Sequence, residues 1–338
     1  MTAAERPTAV LFCPGRGSYG KEELGCIRRA PLPDAIARAL ADADDVRRAA
    51  GQPALADLDA APTFRPSVHL DGRNASELIY FATLAASARA FERYRVVGVA
   101  GNSLGWYSAL AVAGCLSPFD GWTLVSTMAR LQEAASGGQV MTTTVGDDWL
   151  PDPARTVAVD EVLDAVNRAG PDTFVAPSIR LGGHSVLAGT EAGVAELLRR
   201  LPKVQVGDRT FPFRLAGHGP FHTPLCAEVA ARARAGLAGL PCGAPQVHLI
   251  DGFGRLHTPW SADPAELLAY TLGAQVVETF DFTAAVRVAL RELNPDVLVC
   301  LGPGTSLRAP VGHVVLREGY RGLRARQALF DSGLVAAA

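Results

Sequence analysis

The sequence of 338 residues predicts an α/β protein with a largely parallel central sheet and a smaller module inserted into it. Two observations favour this fold class. Short apolar, β-branched runs alternate with longer alanine-rich helical patterns at both ends of the chain, and that alternation is typical of strand–helix–strand units. Hydrophobic residues make up 49% of the chain, which is enough to bury a large core.

The spacing of apolar residues predicts the elements of the core. Residues 9–13 form an apolar run that ends in the turn PGRGS, and residues 297–301 form a similar run that ends in GPG. Residues 75–94 repeat large apolar side chains at helical intervals. The predicted core elements are, in order, a strand at 9–13, a helix at 75–94, a strand at 96–100, helices at 104–113 and 119–135, and a strand at 297–301.

The middle of the chain follows a different order, βαββαβ, which is the split pattern of a ferredoxin-like module. Because the stretches on both sides follow the α/β pattern, we expect an insertion. Residues 1–137 and 213–338 would form the core, and residues 138–212 the small subdomain. The predicted elements of this subdomain are a strand at 139–145, a helix at 159–169, strands at 173–179 and 185–188, a helix at 191–201 and a strand at 211–215.

Charge and cysteine content argue against several classes of protein. The chain has 32 basic and 34 acidic side chains and a net charge of −2, which disfavours nucleic-acid binding through bulk charge. No apolar run reaches 18 residues, and the first apolar stretch, at 8–13, is too short for a signal peptide. The six cysteines include no C-x-x-C pair, so neither a metal site nor a disulfide framework is expected. We expect a cytoplasmic monomer that binds neither nucleic acid nor membrane.

The strongest chemical signal is the pentapeptide GNSLG at residues 101–105, between a predicted strand and a predicted helix. Flanking glycines permit a sharp turn that exposes the Ser103 hydroxyl, and the helix that follows directs its N–H groups toward that oxygen. Ser103 is therefore the candidate nucleophile, with the Leu104 N–H as an oxyanion donor. An ordinary strand-to-helix turn is the structural alternative.

A serine nucleophile needs a base, and the loop HGPFHTP at residues 218–224 supplies the best candidates. His222 lies among prolines and glycines that fix the backbone, after a predicted strand, which suits a positioned imidazole. His218 is a competitor within the same loop. The pairing of this loop with the serine turn favours a catalytic histidine, His222.

Four segments resemble the malonyl-CoA:acyl-carrier-protein transacylase family, which includes the acyltransferase domains of polyketide and fatty-acid synthases. The segment LFCPGRGS (11–18) is similar to the family's FPGQGS, and AGNSLGWYSAL (100–110) to AGHSLGEYSAL. GPFHTPL (219–225) and LGPGTSL (301–307) are similar to its GPFHSPL and GPGxxL. The matches occur in the family's order over nearly the whole chain. The resemblance implies an α/β-hydrolase-like core with a ferredoxin-like insertion.

The resemblance also implies a ping-pong mechanism without a bound cofactor. Ser103 would take the acyl group from a phosphopantetheine thioester of CoA or of a carrier protein, with His222 as general base and then general acid. Backbone N–H groups of Leu104 and Arg16 would form the oxyanion hole. A backbone carbonyl orients the histidine in this family, and the matching position is Gln275. The implied partner is an acyl carrier protein.

The main departure from the family concerns its carboxylate-binding arginine, which lies in a helix reading LVxxRGxxMQ. The matching segment here is LVSTMARLQ (124–132), which has Met128 at the arginine position. Arg130 lies about 200° around the helix from the expected direction. Since a buried carboxylate without a cation is costly, the change predicts an acyl group without a free carboxylate. A rescuing arginine from another loop is the alternative.

Further departures predict a re-lined acyl pocket. Asn102 and Trp106 replace a histidine and a glutamate of the serine segment, and Arg16 replaces the glutamine of the opening loop. In the insertion, RLGGH (180–184) stands for the family's NSPGQ, which would place Arg180 and His184 near the cleft. Phe221 keeps the form found in malonyl-type domains, where its ring disfavours a branched acyl group.

The favoured function is an acyltransferase that moves a carboxylate-free acyl group onto or between carrier proteins in polyketide or related natural-product biosynthesis. One alternative is an editing hydrolase of the same fold, which passes the acyl group from Ser103 to water. Another is a malonyltransferase in which Arg16 or Arg180 rescues the missing arginine. A non-catalytic carrier-binding protein is a further class, against which the intact pair Ser103 and His222 argues.

Overall fold

Two sheets of different character organise the chain, and the computed structural model describes residues 5–338 of it. The strands in chain order are β1 (Thr8–Cys13), β2 (Arg95–Gly101), β3 (Gly138–Thr143), β4 (Val175–Leu181), β5 (His184–Gly189), β6 (Val204–Val206), β7 (Arg209–Phe211), β8 (Phe213–Arg214), β9 (His248–Ile250), β10 (Leu256–His257), β11 (Phe280–Asp281), β12 (Val297–Cys300) and β13 (Val335–Ala337).

Helices cover the faces of both sheets. They are α1 (Asp34–Ala49), α2 (Leu55–Asp59), α3 (Pro66–His69), α4 (Gly72–Arg93), α5 (Leu104–Val112), α6 (Pro118–Gln132), α7 (Pro153–Asn167), α8 (Glu191–Arg200), α9 (Ala227–Gly236), α10 (Pro264–Leu272), α11 (Ala274–Val277), α12 (Phe282–Val288), α13 (Arg308–Glu318) and α14 (Arg326–Ser332). Short 3-10 turns span Lys21–Glu23, Pro224–Cys226 and Tyr320–Gly322, and a π-helical turn spans Ala289–Leu293.

The main sheet has the order β10-β9-β2-β1-β12-β13 and is parallel except for β10. Strand β1 lies at its centre, where Leu11 registers with Val99 on one side and Val299 on the other. All three side chains are fully buried, as an apolar run in a sheet covered on both faces requires. The carboxyl ends of β1 and β2 therefore meet at one edge, which is where the candidate site lies.

The second sheet has the order β11-β4-β5-β3-β8. Within it, the antiparallel strands β3, β4, β5 and β8, with α7 after β3 and α8 after β5, reproduce the predicted βαββαβ module. A separate apolar cluster under α7 and α8, which includes Val140, Leu163 and Leu197, stabilises this subdomain. The predicted fold class, an α/β core with a ferredoxin-like insertion, is confirmed.

The edge strand β11 comes from the chain after the insertion. It pairs in parallel with β4, with Phe280 opposite Ile179 and Asp281 opposite Arg180. The small sheet therefore takes a strand from residues far outside the predicted 138–212 segment.

Element ends differ from the sequence-based prediction where a side chain sets them. Helix α7 begins six residues earlier than predicted, at Pro153, because the Asp152 carboxylate accepts the N–H groups of Ala154 and Arg155 and Pro153 suits the first turn. The single strand predicted at 211–215 is split into β7 and β8, since Pro212 has no N–H to continue a ladder.

Within residues 5–338, no helix combines the length and apolar character needed to cross a lipid bilayer.

Candidate active site

Ser103 occupies a sharp turn between β2 and α5. Its backbone has φ 56° and ψ −113°, a conformation that L-residues rarely adopt. The flanking glycines permit it by close packing: a Cβ on Gly101 would lie 2.1 Å from the Gly105 carbonyl oxygen, and a Cβ on Gly105 would lie 2.1 Å from that of Cys13. The predicted serine turn is thus present, and only glycine fits on either side of it.

The Ser103 hydroxyl is hydrogen-bonded to the predicted base. Its Oγ lies 2.7 Å from His222 Nε2, and His222 Nδ1 lies 2.6 Å from the Gln275 carbonyl oxygen. Because a carbonyl can only accept, Nδ1 carries the proton and Nε2 presents its lone pair to Ser103. Burial lowers the pKa of His222 to about 4, against the opposing effect of the Gln275 hydrogen bond. The imidazole is therefore neutral near pH 7, as a general base must be.

The loop that carries His222 is fixed from two sides. His222 has φ 58°, and its N–H donates to the Val276 carbonyl in α11. From the small subdomain, the Ser178 hydroxyl donates to the Phe221 carbonyl at 2.8 Å, and Gln139 Nε2 donates to Ser178 Oγ at 2.6 Å. A hydrogen-bonded chain from β3 and β4 thus holds the residue next to the base.

Gln275 contacts both members of the pair. In addition to its carbonyl bond to His222, its Nε2 donates to the Ser103 carbonyl at 3.3 Å, and its Oε1 accepts from the Tyr107 hydroxyl at 2.9 Å. The predicted orienting residue is therefore in place, and its side chain also ties the serine turn to α11.

The two predicted oxyanion donors lie on adjoining backbone. Leu104 is the first residue of α5, so its N–H has no carbonyl partner within the helix. The loop of Arg16 lies against the serine turn, since a Cβ on Gly15 would be 2.8 Å from the Asn102 carbonyl oxygen. This arrangement is compatible with an oxyanion hole built from the Leu104 and Arg16 N–H groups.

A cavity of about 590 Å³ opens at Ser103, between the core and the small subdomain. Its catalytic end includes Arg16, Asn102, His222 and Gln275. The wall contributed by the small subdomain and the segment after it includes polar Gln139, His184 and Arg209. Its apolar residues include Met141, Leu181, Val186, Phe211, Phe213 and Leu215. The cavity can accommodate a small acyl group and part of a thioester arm.

Three of the residues predicted to line the acyl pocket do so. Phe221 and Asn102 are buried at the catalytic end, and the Asn102 Oδ1 has no hydrogen-bond partner among residues 5–338. His184 lines the other end, where its ring stacks on Phe211. Burial, together with the nearby Arg209, lowers the pKa of His184 to about 4.

The other three, which the sequence predicted to line the acyl pocket, lie outside the cavity lining. Trp106 is fully buried, and its indole N–H donates to Thr271 Oγ1 at 2.9 Å. Met128 is 1% exposed and packs inside the main core. Arg180 is exposed and pairs with Asp281 at 3.0 Å, because β4 directs it to the outer side of the small sheet.

His218 is close to the site but has a different set of contacts. Its Nδ1–H donates to Gln139 Oε1 at 2.7 Å, and burial lowers its pKa to about 3. It extends the hydrogen-bonded chain of Gln139 and Ser178. That chain was missed by the sequence analysis, since its residues lie 39 positions apart on two strands and carry no local signal.

Among residues 5–338, no group of three or more His, Cys, Asp or Glu side chains could hold a metal ion. The site that the structure defines is therefore described by its serine, histidine and backbone groups.

Known proteins resemble this chain in sequence and in fold. No family model matches the chain. The chain is 32% identical over 232 residues to polyketide synthase GfsB of Streptomyces halstedii, over 68% of this chain and 4% of that protein. It is 31% identical over 160 residues to a malonyl CoA-acyl carrier protein transacylase of Bacillus subtilis (strain 168), over 45% of this chain and 47% of that protein. The chain thus aligns with less than half the length of these curated relatives.

Solved structures show the same fold along more than nine-tenths of the chain. A malonyl-CoA:ACP transacylase of Synechocystis sp. PCC 6803 superposes with a TM-score of 0.72 at 18% identity, over 91% of this chain and 94% of that one. A structure described as a type II PKS acyl-carrier protein in complex with its malonyl-transacylase gives 0.74 at 19% identity, over 98% and 95%.

Fold and site together define a serine–histidine pair beside a cavity, on a fold shared with solved malonyl-CoA:ACP transacylases. The resemblance to the malonyl-CoA:acyl-carrier-protein transacylase family, predicted from four sequence segments, is confirmed.

Proposed function

We propose that this chain transfers acyl groups between phosphopantetheine thioesters through an acyl-Ser103 intermediate. The observation that carries the proposal is the 2.7 Å contact between Ser103 Oγ and a His222 ring whose tautomer is fixed by the Gln275 carbonyl. A neutral base in contact with a hydroxyl at a helix N-terminus, beside a cavity, is the arrangement that acyl transfer requires.

In the first half-reaction Ser103 Oγ attacks the thioester carbonyl while its proton passes to His222 Nε2. The tetrahedral oxyanion is stabilised by the Leu104 and Arg16 N–H groups. The C–S bond then breaks, the leaving thiolate takes the proton from His222, and the acyl group remains on Ser103. In the second half-reaction an incoming thiol gives its proton to His222 and attacks the ester, and the Ser103 oxygen recovers the proton as it leaves.

We propose that an acyl carrier protein supplies the second thiol. Support comes from the structural similarity to the malonyl-transacylase that is solved in complex with its acyl-carrier protein. The sequence similarity to polyketide synthases favours a natural-product pathway as the setting. The cavity at Ser103 runs between the core and the small subdomain, so a flexible arm can reach the serine from the surface.

Intact-protein mass spectrometry with a panel of acyl-CoAs and acyl carrier proteins tests the proposal. We expect a covalent adduct from at least one donor on the wild-type chain and none on Ser103→Ala. Addition of a holo carrier protein should then move the acyl group to the carrier. Loss of the adduct to water at the same rate with and without carrier would instead identify an editing hydrolase, and absence of adduct from every donor would contradict acyl transfer.

A further inference from the structure

Arg16 brings an unpaired positive charge to the catalytic end of the cavity. Its guanidinium donates to three neutral acceptors, each at 3.2 Å: Ser76 Oγ in α4, Gln132 Oε1 in α6 and the Gly217 carbonyl. None of the ion pairs within residues 5–338 includes it. Although burial lowers the pKa of Arg16 to about 10, the group remains charged near pH 7.

The two carboxylates that act electrostatically on Arg16 already have hydrogen-bond partners of their own. Asp71 and Glu133 both favour its charged form. However, Glu133 pairs with Arg73, with 2.7 Å between Arg73 Nη2 and Glu133 Oε2, and Asp71 accepts the Arg73 N–H at the start of α4. A half-buried cation whose direct partners are all neutral is ready to bind an anion that enters the cavity.

Arg16 lines the same cavity as Ser103 and His222. Its guanidinium is 5.1 Å from the centre of the Phe221 ring, and Phe221 directly precedes His222. Its partner Gln132 is four residues after Met128 in α6, so the two side chains leave the helix on the same face. Through Gln132, Arg16 thus contacts the face of α6 that carries Met128, from the opening loop rather than from the helix.

We propose that Arg16 is the specificity-determining residue of this chain and binds a free carboxylate at the distal end of the acyl group. The inference rests on the proposed acyl transfer and narrows its substrate to a carboxyacyl thioester, in place of the carboxylate-free acyl group that the sequence predicted. Met128 lies outside the cavity lining, so it does not form an apolar wall next to the acyl group. A CoA phosphate is separated from the thioester by the whole pantetheine arm. The carboxylate of a malonyl group on Ser103 would instead lie two carbons from the ester carbonyl, within the cavity that Arg16 lines.

The test compares two donors of matched shape, malonyl-CoA and isovaleryl-CoA, on the wild-type chain and on Arg16→Gln. We expect the wild type to acylate Ser103 faster with malonyl-CoA. Arg16→Gln keeps the backbone N–H but removes the charge, so the malonyl-to-isovaleryl ratio of kcat/KM should fall by about 10- to 100-fold. Arg16→Lys keeps a positive charge and should retain more of the ratio than Arg16→Gln, and circular dichroism with Tm confirms that each variant folds.

Three results would overturn the assignment. The wild type could prefer isovaleryl-CoA, or Arg16→Gln could slow both donors equally, as a purely structural tie between α4 and α6 would. Slowing of both CoA thioesters, but not of the phosphate-free N-acetylcysteamine thioesters, would instead place a CoA phosphate at Arg16. Calorimetric binding of both acyl-CoAs to Ser103→Ala, with and without Arg16→Gln, measures recognition in the absence of acylation. It therefore separates failure of this inference from failure of the proposed acyl transfer.

Discussion

Ser103 and His222 are joined by a 2.7 Å hydrogen bond, and both residues have a positive φ, 56° and 58°. Such a backbone conformation costs about 1–3 kcal/mol for a residue with a side chain unless its surroundings impose it. The surroundings impose it on both residues. The closely packed glycines on either side of Ser103 fix its turn, and the hydrogen bond from the His222 N–H to the Val276 carbonyl fixes that of His222. The turns that position the two side chains are thus imposed by the structure around them.

The serine turn should tolerate no side chain at Gly105. In Gly105→Ala the new Cβ would lie 2.1 Å from the Cys13 carbonyl oxygen, and forced contacts of this kind cost about 1–3 kcal/mol or displace the backbone. We expect a lower Tm and loss of the acyl-enzyme in mass spectrometry. Gly239→Ala is the matched control, because its Cβ would meet nothing within 4 Å. An active Gly105→Ala would show that the turn can widen.

The pH dependence of acylation should reflect the lowered pKa of His222. Only the neutral ring accepts the Ser103 proton, so activity is present above the pKa and is lost as the pH falls through it. With that pKa at about 4, kcat/KM for acyl loading should be flat between about pH 6 and 8 and decline below about pH 5. Stopped-flow release of thiol measures it. A decline centred near the ordinary histidine pKa of 6.5 would contradict the burial effect.

Substitution of Gln275 should separate its backbone role from its side-chain role. Gln275→Ala keeps the carbonyl that orients His222 but removes the contacts to Tyr107 and to the Ser103 carbonyl. We expect less than about a tenfold loss of acylation rate. His222→Ala removes the base and should cost about 10²- to 10⁴-fold. Equal losses in single-turnover acylation would show that the side chain, and not the carbonyl, positions the histidine.

Ser178 should act as a positioning residue from the small subdomain. Ser178→Ala leaves the Phe221 carbonyl and the Gln139 amide without a partner, at a cost of about 1–3 kcal/mol, and frees the loop of His222. The acylation rate should fall more than in Ser87→Ala, which removes an equally buried hydroxyl that donates to Leu84 within α4. If both variants lose stability and rate in the same proportion, the chain from β4 has no special effect on the site.

Sequence analysis predicted those parts of the site that depend on local context. Ser103 and His222 each lie in a turn whose glycines and prolines are visible in the sequence, and the structure brings them together. Trp106 and Met128 were placed in the pocket because their positions match family contacts, but the direction of a helical side chain depends on what the helix packs against. Likewise, the partners of Arg16 lie 60 and 116 residues away and have no local signal.

The same limit applies to the fold. Strands β1, β2 and β12 are continuous apolar runs and were predicted closely, whereas β11 has two residues, and its pairing with β4 arises only from tertiary packing. The short hairpin of β6 and β7 likewise was not predicted, because its three-residue strands are partly exposed and carry little apolar pattern.

The pairing of β11 with β4 has a consequence for protein engineering. Consider a chimera in which the ferredoxin-like insertion is exchanged for that of a relative by cutting only at residues 137 and 213. The edge of the transplanted sheet would then pair with β11 of the original chain, which is foreign to it. Phe280 and Asp281 must travel with it, since Asp281 also holds Arg180. The recombination unit of this chain is therefore discontinuous, with four chain crossings in place of the two that a linear insertion suggests.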